Sequence, residues 1–316
     1  MVALLGRVTQ FTQNLRILSA VVKRNIIVDL RYKFQIFVEI TWTAVNVLAF
    51  VLLGAAWDAT SSPAGVPYSM VTFFLVATGF FTVFSGVMES TVEAVSEESK
   101  LGTMGFLITN SVSPTTIILG RYIAATARWL VVLFVIVIPP LIFKGVYPSS
   151  LSLIWSSILV FIMAWVFMAG FTLILTSISL IFKRTTTFNK VGIYIVRFLS
   201  GAIVPIFSFD SNFKLMGRTL SSILIWFPPT YALESLRWLF SVQDKSGLTL
   251  GGLQSKDGLE YRSFNSVFNM NAKDFGLADP TLQLMYLISG VFFLASLLFS
   301  FWLTKLSRKW GTIEFY

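Results

Sequence analysis

The 316-residue chain contains no histidine and no cysteine, and only 12% of its residues are charged. Each shortage excludes chemistry. Without His and Cys there is no Ser-His-Asp triad, no Cys nucleophile, no HExxH zinc site, no zinc finger and no disulfide framework. No G-x-x-x-x-G-K-[S/T] P-loop occurs, and the dipeptide Gly-Lys is missing altogether, so the chain cannot cradle ATP in the Walker manner. An enzyme is therefore not expected. Scarcity of charge also decides the solvent. A soluble domain carries about 25% charged residues, whereas here 55% are hydrophobic and the mean hydropathy is +0.78. The chain reads as a membrane protein. Its 24 Lys+Arg against 15 Asp+Glu suit topogenic loops better than nucleic acid, which is not expected as a partner.

A helical crossing needs about 20 apolar residues, because lipid satisfies no backbone hydrogen bond. Six stretches qualify: 36–57, 66–88, 122–143, 151–182, 191–209 and 281–303. The fold class expected is all-α, a polytopic bundle of six transmembrane helices. The fourth stretch would span about 48 Å at 1.5 Å per residue, so it must tilt, bend or project, with Gly170 as a bend point. No cleavable leader is apparent in the first twenty residues, and the first span is expected to be a retained anchor. The positive-inside rule then orients the bundle. Arg7, Arg16, Lys23, Arg24, Arg31 and Lys33 precede span one. Lys100 and Arg121 fall between spans two and three, Lys183, Arg184 and Lys190 between four and five, and Lys305, Arg308 and Lys309 in the tail. The opposite short loops hold Lys144 alone. Both termini should be cytoplasmic in a cell membrane, with 210–280 outside. The organisation expected is a cytoplasmic or interfacial segment 1–35, a transmembrane domain 36–309 and a tail 310–316.

Within 13–33 the basic Arg16, Lys23, Arg24 and Arg31 share one helical arc, and Leu15, Leu18, Val22 and Ile26 lie on the other side. That pattern fits a helix lying on the lipid surface, although a basic stretch before a first span also simply enforces topology. Beyond span two, Glu89, Glu93, Glu97 and Glu98 form an acidic stripe that topology does not demand. An apolar piece follows, Leu101, Met104, Leu107 and Ile108, flanked by Gly102 and Gly105 and stopped at Pro114. The segment 89–118 reads either as a charged knob that docks a soluble partner or as a solvated helix. On the far side, the apolar 219–227 is too short to cross and meets Pro228-Pro229, after which 231–240 is amphipathic and carries Glu234 and Arg237. Two short apolar helices broken by prolines read as a re-entrant hairpin before the last span. Trp57, Tyr68, Tyr147, Trp226, Tyr231 and Trp238 are placed for an outer aromatic belt.

Three ionisable residues fall inside spans: Glu39, Arg128 and Arg197. All three are expected at a similar shallow depth on the inner side. They make either a structural acid–arginine pair with snorkelling, or a basic rim on an inward cavity that attracts an anionic headgroup. Phe80 and Phe84, with Phe73, Phe74 and Phe81, line an apolar pathway or face lipid and neighbouring helices. Thr78, Gly79, Thr82, Ser85 and Gly86 allow close helix approach.

Taken in order, these features resemble the type-2 ABC permease family, the membrane subunits of exporters for drugs, lipids and polysaccharides. The local match is Glu98, Leu101-Gly102-Thr103, Leu107-Ile108-Thr109 and Ile118-Leu119-Gly120-Arg121, with Phe227-Pro228-Pro229-Thr230-Tyr231 and Arg237 as a late element. Gly105 stands where that family commonly has an acid, and Asn110 where it has Pro. The resemblance implies a permease that moves a hydrophobic or amphipathic substrate outward by alternating access. It implies partners: two copies of a nucleotide-binding subunit, which carry the ATP and Mg, and a second permease copy or sibling in the lipid. No cofactor is bound by this chain itself. ATPase coupling falls on Glu93, Glu97, Glu98, Lys100, Gly102, Thr103 and Leu107, and the substrate pathway on Glu39, Phe80, Phe84, Arg128 and Arg197. The alternative is an ATP-independent secondary transporter or channel. That alternative normally places acids near the midplane, and Glu39 is the one acid that keeps it open.

Overall fold

The computed structural model describes residues 2–60, 69–100, 113–145, 147–148, 151–182, 186–203, 214–215, 218–219, 223–241 and 279–309. Helix α1 (Val2–Arg31) is followed after one residue, Tyr32, by α2 (Lys33–Thr60) and then by α3 (Met70–Lys100). Next come α4 (Pro114–Val132), a π-turn (Leu133–Val137) and α5 (Ile138–Phe143), which together make one continuous rod. Helices α6 (Leu151–Ile181), α7 (Thr186–Leu199), α8 (Pro228–Ser241) and α9 (Pro280–Lys309) complete the series. A two-residue β-ladder pairs Lys214–Leu215 with Arg218–Thr219. The protein is thus essentially all-helical. Five of its described helical rods are long and apolar enough to cross a bilayer: Lys33–Asp58, Met70–Ser99, Pro114–Phe143, Leu151–Leu180 and Pro280–Leu306. This composition is compatible with a multi-pass membrane protein.

Of the expected span 191–209, residues 191–203 are described. Helix α7 has 14 residues, about 21 Å against a hydrocarbon core of about 30 Å. Gly201 is the stop signal. Its φ is +72°, its N–H donates to the Phe198 carbonyl at 3.1 Å, and the Ala202 N–H donates to the Arg197 carbonyl at 3.3 Å. That paired closure of a helix C-terminus requires a left-handed residue, which Gly adopts without Cβ strain. Residues 204–209 lie outside those described. The π-turn has a similar local cause. Pro139 and Pro140 lack N–H donors, and the Pro139 ring would crowd the Val135 carbonyl, so the helix widens for one turn ahead of them. Helix starts are sealed by polar side chains. Ser113 accepts from the Thr116 N–H at 3.2 Å, and Asp279 accepts from the Thr281 N–H at 2.7 Å. Asp58, at the end of α2, accepts from the Met70 N–H at 2.8 Å and the Val71 N–H at 3.3 Å, which fastens the start of α3 to the end of α2.

Helix α3 is the axis of the bundle. Of the most apolar 18-residue window of each helix, 89% is buried in α3 and 11% in α2. Leu75, Phe80, Phe81, Phe84 and Met88 of α3 form one core with Val160, Met163 and Phe167 of α6 and Tyr231, Leu233 and Leu236 of α8. Outward faces of α2, α7 and α9 carry Trp42, Leu48, Phe198, Leu294, Leu298 and Phe301 exposed, a surface that only lipid or another apolar chain would cover. Tyr231, expected in an aromatic belt, is fully buried in this core, whereas Trp57, Tyr147 and Trp226 remain exposed. Tyr68 lies outside the described residues.

Small residues let helices touch, as expected. A Cβ at Gly79 would lie 2.7 Å from the Val137 side chain, and one at Gly86 would lie 2.2 Å from the Trp129 ring. Gly170 has this role too: its added Cβ would meet the Phe293 Cα of α9 at 3.1 Å, and α6 runs as one helix through it. Gly86→Ala should lower stability by about 1–3 kcal/mol through overpacking, seen as a lower thermal midpoint in detergent. In a Trp129→Leu background the same change should cost almost nothing, and an unchanged cost there would remove the Trp129 contact as its cause.

Candidate functional site

The acidic stripe and the N-terminal helix meet at one end of the bundle. Helix α3 runs as one helix to Lys100, with Val92 and Val95 still buried, and Glu89, Glu93, Glu97 and Glu98 lie along its C-terminal part. Glu93 and Glu97 are exposed. Glu98 is ion-paired with Arg24 of α1. Lys100 ends α3, and Gly102, Thr103 and Leu107 lie outside the described residues, as does the apolar piece 101–112.

Helix α1 is held against α4 as well. A Cβ at Gly120 would lie 2.6 Å from Val21, so the two backbones run close. Leu18, Val21, Asn25 and Asp29 recur at helical spacing, and Asn25 and Asp29 are buried, while Arg16, Lys23, Arg24 and Arg31 are exposed. Asp29 accepts from the Arg121 guanidinium at 2.9 Å, and its second oxygen lies 3.7 Å from Arg128. Arg128 also lies 3.6 Å from Glu39 and donates to the Ser90 hydroxyl at 2.6 Å, to which the Trp129 indole donates at 3.1 Å. Two carboxylates and two guanidiniums from α1, α2 and α4 thus form a closed charge cluster tied to α3 through Ser90. Of the two readings of Glu39 and Arg128, the structure realises the acid–arginine pair. Asp29 was not singled out from the sequence; its signal was an acid at i+4 from Asn25 on the otherwise apolar stripe of a basic helix.

Arg197 does not join this cluster. Its guanidinium carbon lies 5.9 Å from the Phe50 ring of α2 and 6.0 Å from the Phe81 ring of α3, a cation–π sandwich. Arg128 reaches α3 at Ser90 and Arg197 reaches it at Phe81. Nine residues separate these levels, about 13 Å along the helix. Arg128 and Arg197 therefore do not share one level along α3. Phe80 and Phe84 are buried and pack on each other with ring centroids 4.4 Å apart, Phe84 also on Phe161 at 5.1 Å. They are core residues of this conformation.

At the opposite end α8 is anchored by charge. Arg237 is fully buried and pairs with Glu234 at 2.5 Å, donates to the Gly201 carbonyl at 3.0 Å and lies 3.6 Å over the Phe73 ring. Thr230 donates to the Leu199 carbonyl at 3.1 Å, so α8 grips the C-terminus of α7 twice. Among the described residues no group of three or more Asp and Glu side chains is placed to hold a metal ion. Compared with models of known protein families and with curated proteins, the sequence finds no match.

Proposed function

We propose that the chain is the membrane-spanning permease subunit of an ATP-driven ABC exporter, that it crosses the membrane six times with both termini in the cytoplasm, and that it works as a dimer with separate nucleotide-binding subunits. One observation carries the reading: the helix most enclosed by the bundle, α3, runs without a break from the core to an acidic end. A force applied to Glu93–Glu98 by a docked subunit would be transmitted along a rigid rod to Phe80, Phe81 and Phe84 instead of being absorbed in a loop. Helix α1 braces the same end through Arg24 and Asp29. ATP-driven closure of two such subunits would then bias two packings of the bundle. In this reading α7, with the residues after it, makes the remaining crossing, and α8 is the second leg of a re-entrant hairpin. Glu39 and Glu234 are both engaged by arginines, which disfavours a carboxylate-coupled carrier.

The test uses the protein co-expressed with a candidate P-loop ATPase subunit. Glu98→Ala with Lys100→Ala should cut co-purification and transport-coupled ATP hydrolysis about tenfold, equivalent to about 1.4 kcal/mol of docking energy. Arg24→Ala, which removes the Arg24–Glu98 ion pair but keeps Glu98, should leave docking in place. Equal loss in both variants would assign Glu98 to bracing α1 alone, and normal coupling in the double variant would overturn the docking surface.

A further inference from the structure

Three basic residues lie within or beside the membrane-depth helices near the α1 end, and two are neutralised inside the molecule: Arg121 and Arg128 face Asp29 and Glu39. Arg197 is different. Among the described residues it forms no ion pair, and its Nε, like those of Arg121 and Arg128, is buried with no hydrogen-bond acceptor. Glu89 of α3 is the carboxylate whose charge acts on it, without closing an ion pair. A guanidinium among apolar helices with no paired acid is costly. A second copy of the chain offers no remedy from the described helices. Between Glu39 and Asp58, between Asp58 and Glu89, and throughout α4 to α7, no Asp or Glu occurs; Glu234 of α8 is bound to Arg237.

We propose that Arg197 is a binding site for the headgroup of an anionic amphiphile, a carboxylate or phosphate on an apolar tail, held against Phe50 and Phe81. The rings fix the guanidinium plane from α2 and α3 while leaving its N–H groups to an acceptor from outside the protein. The site selects charge by pairing it where hydration is poor, and the exposed apolar faces of α2 and α7 flank it for the tail. It rests on the permease reading only in regarding this ligand as cargo; binding itself needs no ATPase, so binding and coupling can fail independently.

The absence of cysteine makes a single-site probe clean. Leu53→Cys, exposed and one helical turn from Phe50, is labelled with bimane in the full chain reconstituted into phosphatidylcholine vesicles. The quencher is a doxyl-stearate with its nitroxide near the headgroup, compared at alkaline pH with its uncharged methyl ester. The acid should quench at about tenfold lower mole fraction than the ester. Arg197→Gln should make the two curves coincide, and Arg197→Lys should keep the preference for the acid. Identical curves for acid and ester in the parent, or a preference that survives Arg197→Gln, would overturn the site. Quenching by a water-soluble carboxy-nitroxide as effective as that by the stearate would overturn the amphiphile as its ligand.

Discussion

Asp29→Asn should detach the N-terminal helix. The change keeps the shape of the side chain but removes the charge that faces Arg121 at 2.9 Å and Arg128 at 3.7 Å. All three side chains are largely shielded, with relative exposures of 8% for Asp29, 13% for Arg121 and 11% for Arg128, so water does not screen the loss. Removing one member of such a set leaves buried charge uncompensated and costs about 3 kcal/mol or more. Glu39 remains for Arg128, so most of the damage falls on Arg121 and on the α1–α4 seam. The exposed Lys23, Arg24 and Arg31 are trypsin sites that are cut only when α1 opens locally. A loss of about 3 kcal/mol at the seam raises the open fraction about a hundredfold, and cleavage within α1 should accelerate by that factor while the rest of the bundle stays intact. Asp29→Glu should fall between, and Ser19→Ala, on the exposed face of α1 and not a trypsin site, should change nothing. Digestion of Asp29→Asn at the rate of the unaltered protein would remove Asp29 as the fastening of α1.

How much of this was legible in the sequence depends on the range of the signal. Five rods and the N-terminal helix follow from run length and from the periodicity of their apolar residues, and Ser113-Pro114 and Asp279-Pro280 mark helix starts by local capping chemistry. The end of α7 was legible in principle, because Gly201 follows Ser200 at a helix C-terminus, but a continuous apolar run to Phe209 outweighed it. The π-turn is a consequence of Pro139-Pro140 that run length hides, since prolines are tolerated in membrane helices. Long-range pairing could not be read. Asp29 meets Arg121 across 92 positions, and one sequence gives no means of choosing among the available arginines. Arg197 illustrates the same limit: its place in the chain does not show which residues of α2 and α3 it lies against, Phe50 and Phe81.

The two charged ends make different mechanical demands. At the α1 end the acids and bases come from separate helices, α1, α2 and α4, so the cluster can come apart as helices shift. At the other end Glu234 and Arg237 share one helix, and the acceptor of the second Arg237 bond is a backbone carbonyl, so that end is built to stay closed. A hinge at the Gly201 end with motion at the acidic end is the division of labour this predicts.

Glu234→Gln should therefore be among the most damaging single changes in the molecule. Arg237 is fully buried, and without the carboxylate at 2.5 Å its charge loses its ion pair, while the Phe73 ring and the Gly201 carbonyl remain. Losing one member of a buried pair costs about 3–5 kcal/mol, expected as a large fall in the thermal midpoint in detergent. Replacing both residues, Glu234→Leu with Arg237→Met, should recover most of that loss, because an apolar pair of similar volume has no desolvation penalty. What remains should be close to one hydrogen bond, about 1 kcal/mol, the bond from Arg237 to Gly201 that ties α8 to the end of α7. The double change separates two roles that a single substitution confounds. Full recovery would make the pair dispensable to the fold. Recovery no better than Glu234→Gln would show that the grip on Gly201 is the larger contribution, with α7 rather than α8 the helix that depends on Arg237. A silent Glu234→Gln would place Arg237 in water and remove α8 from the core.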